Sequence, residues 1–161
     1  MSGSPEEMPR LLLDVSVLGR SLHLARARTG VARVVERLTA ALTPHFGDDL
    51  QLCATQGLRE LITLRQYLKT GALDTQIPYR LADHGKAGQL AQVLEPVCPK
   101  PDGGGGKVMQ RFAELGVQAI GHPLTRLGRI ALDESQLFHS TYHPLPASTA
   151  QRPGLQRCIT V

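Results

Sequence analysis

Aromatic residues are scarce in this chain, and tryptophan is absent. Phenylalanine, tyrosine and tryptophan make up 4% of the 161 residues, whereas hydrophobic residues overall reach 42%, an ordinary globular value. The core must therefore be aliphatic. The chain also lacks a nucleic-acid recognition motif, and together with the few aromatic side chains this argues against a nucleic-acid partner.

Cysteine is also sparse, and its spacing excludes the common metal and redox motifs. Cys53, Cys98 and Cys158 lie far apart, without the close pairs that zinc sites and redox centres use, so we expect reduced, mostly buried thiols. His139 and His143 are four residues apart, but the prolines that follow favour a loop over the helix face that a zinc pair requires. The sequence therefore predicts no metal and no cofactor.

Long apolar runs are missing as well. No run approaches the roughly 20 residues that span a bilayer, and residues 1–7 are acidic where a signal peptide would be basic. These absences predict a cytoplasmic protein. The net charge of +4 and the pI near 9.3 favour phosphate-bearing partners or an anionic surface, which leaves open a peripheral contact with the inner face of the membrane.

Several short nucleotide-binding and hydrolytic motifs are missing. No G-x-G-x-x-G fingerprint follows the first predicted strand, and no G-x-S-x-G elbow is present. Gly105-Gly106-Lys107 is similar to the end of a phosphate-binding loop, but Pro101 replaces the first glycine and Val108 replaces the magnesium-binding Ser or Thr. We interpret the glycines at 103–106 as a mobile loop.

The sequence does contain alternating strand and helix patterns. Residues 11–18 form an apolar run that predicts a strand buried on both faces. From Thr29, whose hydroxyl suits an N-cap, the apolar period changes to that of a helix, which Pro44 ends. The predicted buried stripe of this helix comprises Val31, Val34, Val35, Leu38 and Leu42.

The alternation continues along the chain. Residues 50–55 predict a second strand. The next predicted helix has an apolar face formed by Leu58, Leu61, Ile62 and Leu68, and Gly71 is its C-terminal stop signal. Later patterns predict a short helix around residues 90–94, a helix over 108–119, a strand at 137–140 and a strand at 155–161 inside the sheet. Strands connected by helices predict one α/β domain over residues 1–161, with a Rossmann-like, open and mostly parallel sheet flanked by helices.

Four arginines surround the start of the first predicted helix. Arg20, Arg26 and Arg28 precede it, and Arg33 lies in its first turn, where the helix dipole disfavours cations by roughly 0.3–1 kcal/mol each. Free amides at a helix start, a glycine that admits a ligand and several guanidinium groups together suit a phosphate or diphosphate. We therefore predict an anion site formed by Arg28, Thr29, Gly30 and Arg33. The alternative is that exposed, salt-screened arginines only keep the loop soluble.

Polar residues also follow a later predicted strand. The arginine-rich loop and the loop at 141–154 both follow strands, so they should lie at the same edge of the sheet, where ligands bind in open α/β folds. His139, Ser140 and Tyr142 supply hydrogen-bonding groups that suit a sugar or its acceptor. The alternative is a satisfied strand-end histidine beside a solvated loop.

One carboxylate interrupts the first apolar run. Asp14 lies within a predicted buried strand, and a buried carboxylate requires hydrogen-bond donors or a countercharge. The arginine loop or the helix start could supply them. We expect Asp14 to hold the loop in place and not to take part in chemistry.

Two segments resemble bacterial group 1 glycosyltransferases of the GT-B fold. The first combines LDVS at 13–16 with RTGVARVVE at 28–36, similar to the first strand and the RTGI-x-R segment of that family. The second is LFHSTYHPLP at 137–146, which resembles the segment after a later strand of the same N-terminal domain. The middle of the chain is matched only by the order and spacing of its elements.

This resemblance implies a function. Such enzymes use two Rossmann-like domains to move a sugar from a nucleotide-sugar donor to a glycan or lipid-linked acceptor, as in polysaccharide biosynthesis, and the nucleotide sugar is a substrate and not a cofactor. The C-terminal domain binds most of the donor. By analogy, the arginine segment at 28–33 would approach the sugar diphosphate, and His139, Ser140 and Tyr142 would line the acceptor side. No catalytic residue is assigned.

The chain also departs from the family. The family continues after the strand at 155–161 with a His-Asp segment, and its second domain carries an E-x7-E motif, but neither is present. We therefore expect an N-terminal domain without its C-terminal nucleotide-sugar-binding partner, lacking transferase activity by itself. The alternative is a stand-alone nucleotide- or phosphate-binding α/β module without catalysis.

Overall fold

The computed structural model describes residues 10–23, 30–70, 73, 80–98, 137–141 and 156–159, the last four by their backbone. The strands are β1 (Leu11–Asp14), β2 (Leu50–Cys53), β3 (Arg80–Leu81), β4 (Leu137–Ser140) and β5 (Gln156–Ile159). The helices are α1 (Ser16–His23), α2 (Gly30–Phe46), α3 (Leu58–Lys69) and α4 (Gly85–Leu94), with a 3₁₀ turn at Gly47–Asp49 before β2.

The strands form one parallel sheet in the order β3-β2-β1-β4-β5. Four of them have four residues each, and the edge strand β3 has two. The central strand β1 pairs Leu13 with Leu52 of β2 on one side and with His139 of β4 on the other. A parallel sheet flanked by helices confirms the predicted α/β class and is consistent with a Rossmann-like fold.

Both faces of the central strands are buried. Leu11 and Leu13 of β1 belong to the main core, which α1, α2, α3 and α4 cover on one face. Leu12 and Phe138 lie in a second cluster, as expected for residues that alternate across a strand, and each is at most 1% exposed. The prediction that the first strand is buried on both faces is therefore confirmed, and the core is aliphatic apart from a few rings.

The first strand is shorter than predicted. β1 ends at Asp14, and Ser16 begins helix α1, so the prediction of a strand over 11–18 is wrong beyond residue 14. The Asp14 carboxylate accepts from the backbone amide of Ser16 at 3.0 Å, which satisfies one of the amide groups that a helix start leaves unpaired. Val17 and Leu18, predicted as strand residues, pack into the core from this helix instead.

Helix α2 turns most of the predicted stripe toward the core: Val35 is buried, Val31, Leu38 and Leu42 are partly buried against the core, and only Val34 departs from the prediction. Its buried residues are Ala32, Val35, Thr39 and Thr43, whereas Val34 is 64% exposed. The two threonines tolerate burial because their hydroxyl groups donate to carbonyl oxygens one turn earlier, at 2.8 Å and 2.7 Å. A count of apolar residues misses such positions, since it treats every threonine as solvent-facing.

Helices α1 and α3 approach each other closely at a glycine. A Cβ placed on Gly19 would lie 2.5 Å from Thr63 Oγ1 and 2.6 Å from the backbone nitrogen of Leu64. No side chain fits between these helices at that point without displacing backbone. Helix α3 itself follows the prediction, with Leu58, Leu61 and Ile62 buried and its end at Lys69.

Helix α4 is joined to α3 by a buried carboxylate. The predicted helical pattern around residues 90–94 is part of α4, but the helix begins earlier and buries the small side chains Ala87 and Ala91. Just after it, Glu95 accepts from Arg65 at 2.9 Å and from Lys69 at 2.6 Å. Burial raises the pKa of Glu95, but the hydrogen bonds and charges of the two cations outweigh this effect and hold the pKa below its ordinary value.

The remaining predicted elements divide into described and undescribed ones. The strand at 137–140 is confirmed as β4, and the later strand is present as β5. Among the described strands β5 lies at the edge of the sheet, not inside it as expected. The predicted helix over 108–119 and the glycine loop at 103–106 lie outside the described residues. Within the described segments, no helix is long and apolar enough to cross a membrane.

Candidate functional site

The order of the strands reverses at β1. The chain passes from β1 to β2 and β3 on one side, whereas β4 and β5 lie on the other side. In open parallel sheets, ligands bind beyond the carboxyl ends of the strands at such a reversal. Asp14 ends β1, Ser140 ends β4, and the two residues are paired in register. We call the residues around this pair the carboxyl-edge site: Asp14, Ser16, Thr55, Ser140 and Thr141.

Asp14 is the centre of a hydrogen-bond network at this edge. It is 1% exposed, and its Oδ1 accepts from the backbone amide of Ser16 at 3.0 Å and from the Ser16 hydroxyl at 2.5 Å. Its Oδ2 accepts from the hydroxyl of Thr55. The buried carboxylate therefore has the donors that burial requires, and in the described part of the chain none of them is an arginine.

The same network connects three strands. Thr55, just beyond β2, also donates its backbone amide to Ser16 Oγ at 3.1 Å. From beyond β4, the Thr141 hydroxyl donates to the backbone carbonyl of Asp14 at 2.7 Å. The two residues of that last bond are 127 positions apart in the sequence. The ends of β1, β2 and β4 are thus held together by hydroxyl groups.

A buried histidine supports the end of β2. His84 is 5% exposed; its Nδ1 lies 2.7 Å from the carbonyl oxygen of Ala82, and its Nε2 accepts from the backbone amide of Ala54 at 3.3 Å. Burial lowers the pKa of His84, and this outweighs the opposing effects of the Ala82 carbonyl and of the Asp83 and Asp14 carboxylates. The ring therefore favours its neutral form.

The predicted anion site is only partly described. Gly30 and Arg33 lie at the start of α2 and are exposed, and a Cβ on Gly30 would meet no atom within 4 Å. Arg28 and Thr29 lie outside the described residues. Arg20 is in α1 and forms an ion pair with a glutamate of α3 at 3.2 Å. The described part of the site is an open helix start that carries one cation in its first turn.

The predicted acceptor-side residues do not share one environment. Ser140 is 2% exposed and lies beside Asp14 in the sheet register. His139 is half-buried on the opposite face of β4, in register with Leu13, and burial lowers its pKa. Tyr142 lies outside the described residues. Of this set, Ser140 therefore belongs to the carboxyl-edge site, together with its neighbour Thr141.

The thiol closest to this network is not reactive. Cys53 ends β2 in register with Asp14 and is 1% exposed. Burial, and then the negative charge of Asp14, raise the pKa of this thiol well above its ordinary value, so it stays protonated at neutral pH. No group of three or more potential metal ligands is present within the described ranges.

The arrangement positions groups and does not activate them. Ser16 Oγ donates directly to a carboxylate that already accepts from other donors, and it also accepts from the Thr55 amide. An activated serine donates to a general base that a third group orients, usually a histidine, whereas the Ser16 hydroxyl donates to a carboxylate that also holds the Ser16 amide and the Thr55 hydroxyl. The described groups therefore suit binding and orientation more than covalent catalysis.

Sequence reasoning missed Thr55 and His84. Both follow strands directly or within a few residues, and polar residues at the carboxyl ends of parallel strands are the signal that could have identified them. The partnership of Asp14 with Ser16 had a local signal too, because Asp and Ser are preferred at helix starts. No protein-family model, curated protein sequence or solved structure matches the chain, so its function is inferred from this geometry and from its motifs.

Proposed function

We propose that the chain is the acceptor-side, N-terminal domain of a glycosyltransferase of the GT-B fold. In this role the domain binds a glycan or lipid-linked acceptor and closes on the diphosphate of a nucleotide-sugar donor. A second domain, as in the family that the sequence resembles, binds the remainder of the donor and is needed for transfer. The donor diphosphate is the leaving group, so stabilising its charge requires amides and cations but no protein nucleophile.

One observation carries this proposal. The LDVS part of the first family-like segment and the start of the second lie far apart in sequence, yet they are neighbours at the reversal of strand order, where β1 pairs with β4 and Thr141 donates to the carbonyl of Asp14 at 2.7 Å. A chance resemblance of two separate segments would not require them to be neighbours. Their position at the carboxyl edge is also the place where ligands bind in sheets of this kind.

The start of α2 supports the diphosphate side of the proposal. The space next to Gly30 is open, so a ligand could reach the backbone amides that a helix start leaves unpaired. Arg33, in the first turn of α2, is exposed and adds a cation where the helix dipole is positive. A bound diphosphate would remove that unfavourable interaction and accept charge-assisted hydrogen bonds from the guanidinium group.

The test is diphosphate binding by the ligand-free chain, measured by calorimetry and by thermal unfolding. A domain that contacts mainly the diphosphate should bind UDP, GDP, ADP and inorganic diphosphate with similar affinity, within about threefold, and more weakly as salt is added. At ten times its dissociation constant the ligand should stabilise the fold by about 1.4 kcal/mol. A stand-alone nucleotide-binding module, the competing function, should instead bind one nucleoside diphosphate far more tightly than inorganic diphosphate.

Substitution at the helix start gives the specific control. Arg33→Gln should weaken binding about tenfold or more, because a charge-assisted hydrogen bond contributes about 1.5–3 kcal/mol. Arg37→Gln, one turn further along the same helix and also exposed, should change affinity less than twofold. The double variant Arg28→Gln/Arg33→Gln should abolish binding without destabilising the unliganded fold. Unfolding of the double variant without ligand, or equal effects of the substitutions at 33 and 37, would contradict the proposed site.

A further inference from the structure

The His84 ring links the ends of two neighbouring strands. It contacts the carbonyl of Ala82, just beyond β3, through Nδ1, and the amide of Ala54, just beyond β2, through Nε2. Ala82 in turn donates its amide to the carbonyl of Leu52 at 2.8 Å. The ring therefore continues the pairing of β2 with β3 past the point where the backbone ladder ends.

These two contacts fix the tautomer of the ring. A backbone carbonyl can only accept, so Nδ1 carries the proton, and a backbone amide can only donate, so Nε2 must present its lone pair. This is possible only in the neutral imidazole. A proton on Nε2 would place two donors against each other and would remove the partner of the buried Ala54 amide, a change that is costly in a buried position.

The Ala54 amide is next to the residue that holds Asp14. Thr55 follows Ala54 directly, and it donates its hydroxyl to Asp14 and its amide to Ser16. A displacement of the Ala54 amide therefore also displaces Thr55, which donates both of these hydrogen bonds. The connection from His84 to the carboxyl-edge site passes through one peptide unit and two hydrogen bonds.

We propose that His84 is a pH-sensitive positioning residue, which holds Thr55 against Asp14 in its neutral form and releases the carboxyl-edge site when it is protonated. Acidification should then loosen the turn after β2 and the start of α1 before the sheet itself unfolds. Only the identity of the ligand whose binding His84 would control rests on the proposed function. The structural consequence of protonation can be observed in the chain without any ligand.

The charged groups that face the His84 ring shift its pKa in opposite directions. Asp83, on its own segment, and Asp14, at the end of β1, favour the protonated ring, whereas Arg65 of α3 disfavours it. Burial is the largest influence, and the pKa of His84 lies below the ordinary value of 6.5. The native state therefore binds fewer protons than the unfolded chain in this range, so the contribution of His84 to stability is present above pH 6.5 and is lost as the pH falls below it.

The test is an NMR titration of the ligand-free chain between pH 7.5 and pH 4.5, these limits lying about one to two units around the ordinary histidine pKa. The amide signals of Ala54 and Thr55 should shift with the same midpoint as the His84 ring, and the hydrogen-exchange protection of the Ala54 amide should fall about tenfold as the ring is protonated. The Leu64 amide, inside α3, is the internal reference and should keep its protection. Amide signals that stay constant through the titration of the ring would overturn the proposal.

Two variants isolate the ring. His84→Gln retains a side chain that can accept from the Ala54 amide but does not titrate, so the pH-dependent shifts at residues 54 and 55 should disappear. His45→Gln removes an exposed histidine at the end of α2 and should leave them unchanged. If the shifts persist in the His84 variant, another group causes them and the proposal fails; if that variant does not fold, the wild-type titration alone decides. Diphosphate binding is not used, so the outcome is independent of the test of the proposed function.

Discussion

Replacement of Asp14 by alanine tests whether the hydroxyl network holds the carboxyl edge together. The substitution removes the acceptor of three hydrogen bonds: two from Ser16 and one from Thr55. The Ser16 amide loses its cap at the start of α1, which costs about 1 kcal/mol. Each hydroxyl loses a bond to a charged acceptor, which typically contributes about 1.5–3 kcal/mol.

These losses are partly offset. Removing the carboxylate also removes the cost of burying a charge that is 1% exposed, and the serine and threonine hydroxyl groups can rotate toward other acceptors. We therefore expect a net loss of about 2–4 kcal/mol in the free energy of unfolding, less than the sum of the separate bonds. Asp14→Asn should cost less, about 1–2 kcal/mol, because one oxygen still accepts from Ser16.

Urea unfolding followed by circular dichroism measures the difference. Asp48→Asn is the matched control, because that carboxylate is 77% exposed and lies 3.7 Å from its cationic partner, so its loss should change stability by no more than about 0.5 kcal/mol. If Asp14→Ala were as stable as this control, the network would not hold the carboxyl edge. The same result would weaken the proposed action of His84, which operates through Thr55.

Two further predictions concern packing and pH. Gly19→Ala should destabilise the fold by about 1–3 kcal/mol, because its Cβ would lie 2.6 Å from a backbone nitrogen of α3. Gly30→Ala, where the space is open, is the control and should be neutral or stabilising by up to about 1 kcal/mol. Equal effects of the two substitutions in urea unfolding would contradict the close packing of α1 on α3. Glu95 has a lowered pKa, so its contribution is present above the ordinary value of 4.5 and is lost as the pH falls below it. Wild type should therefore be more stable than Glu95→Gln at pH 6, and the difference should shrink toward pH 3.5, as urea midpoints at both pH values would show; a constant difference would mean that the Glu95 charge has no part in it.

The local sequence pattern was sufficient to predict the elements in which apolar residues are buried and polar residues are exposed. The β1 run reads as buried on both faces because it contains consecutive leucines, and α3 reads as a helix because its leucines recur at helical spacing and its end is marked by a glycine. The same information was insufficient where polarity and burial disagree. Thr39 and Thr43 are buried in α2 only because their hydroxyl groups bond to the preceding turn, a possibility that a hydropathy pattern does not contain.

The candidate site shows the same division. A single carboxylate in an apolar run is enough to predict that Asp14 needs hydrogen-bond partners. Parallel strands are enough to predict that the segments after β1 and β4 lie at the same edge of the sheet. The identity of the partners does not follow, since Thr55 and Thr141 are 41 and 127 positions away from Asp14. Nor does the sequence show that His84, whose neighbours in the chain are unremarkable, is buried against Ala54.

The sequence by itself determined the alternation of strands and helices, an aliphatic core and a parallel α/β sheet, because these depend on the local period of apolar residues and on the short connections between elements. Only the tertiary structure decided which side of β1 each later strand occupies, and therefore where the strand order reverses. It also decided which hydroxyl groups satisfy Asp14 and which amide His84 accepts from. Such choices depend on contacts between residues distant in the chain, and the free energy of each contact exists only when the whole sheet has formed.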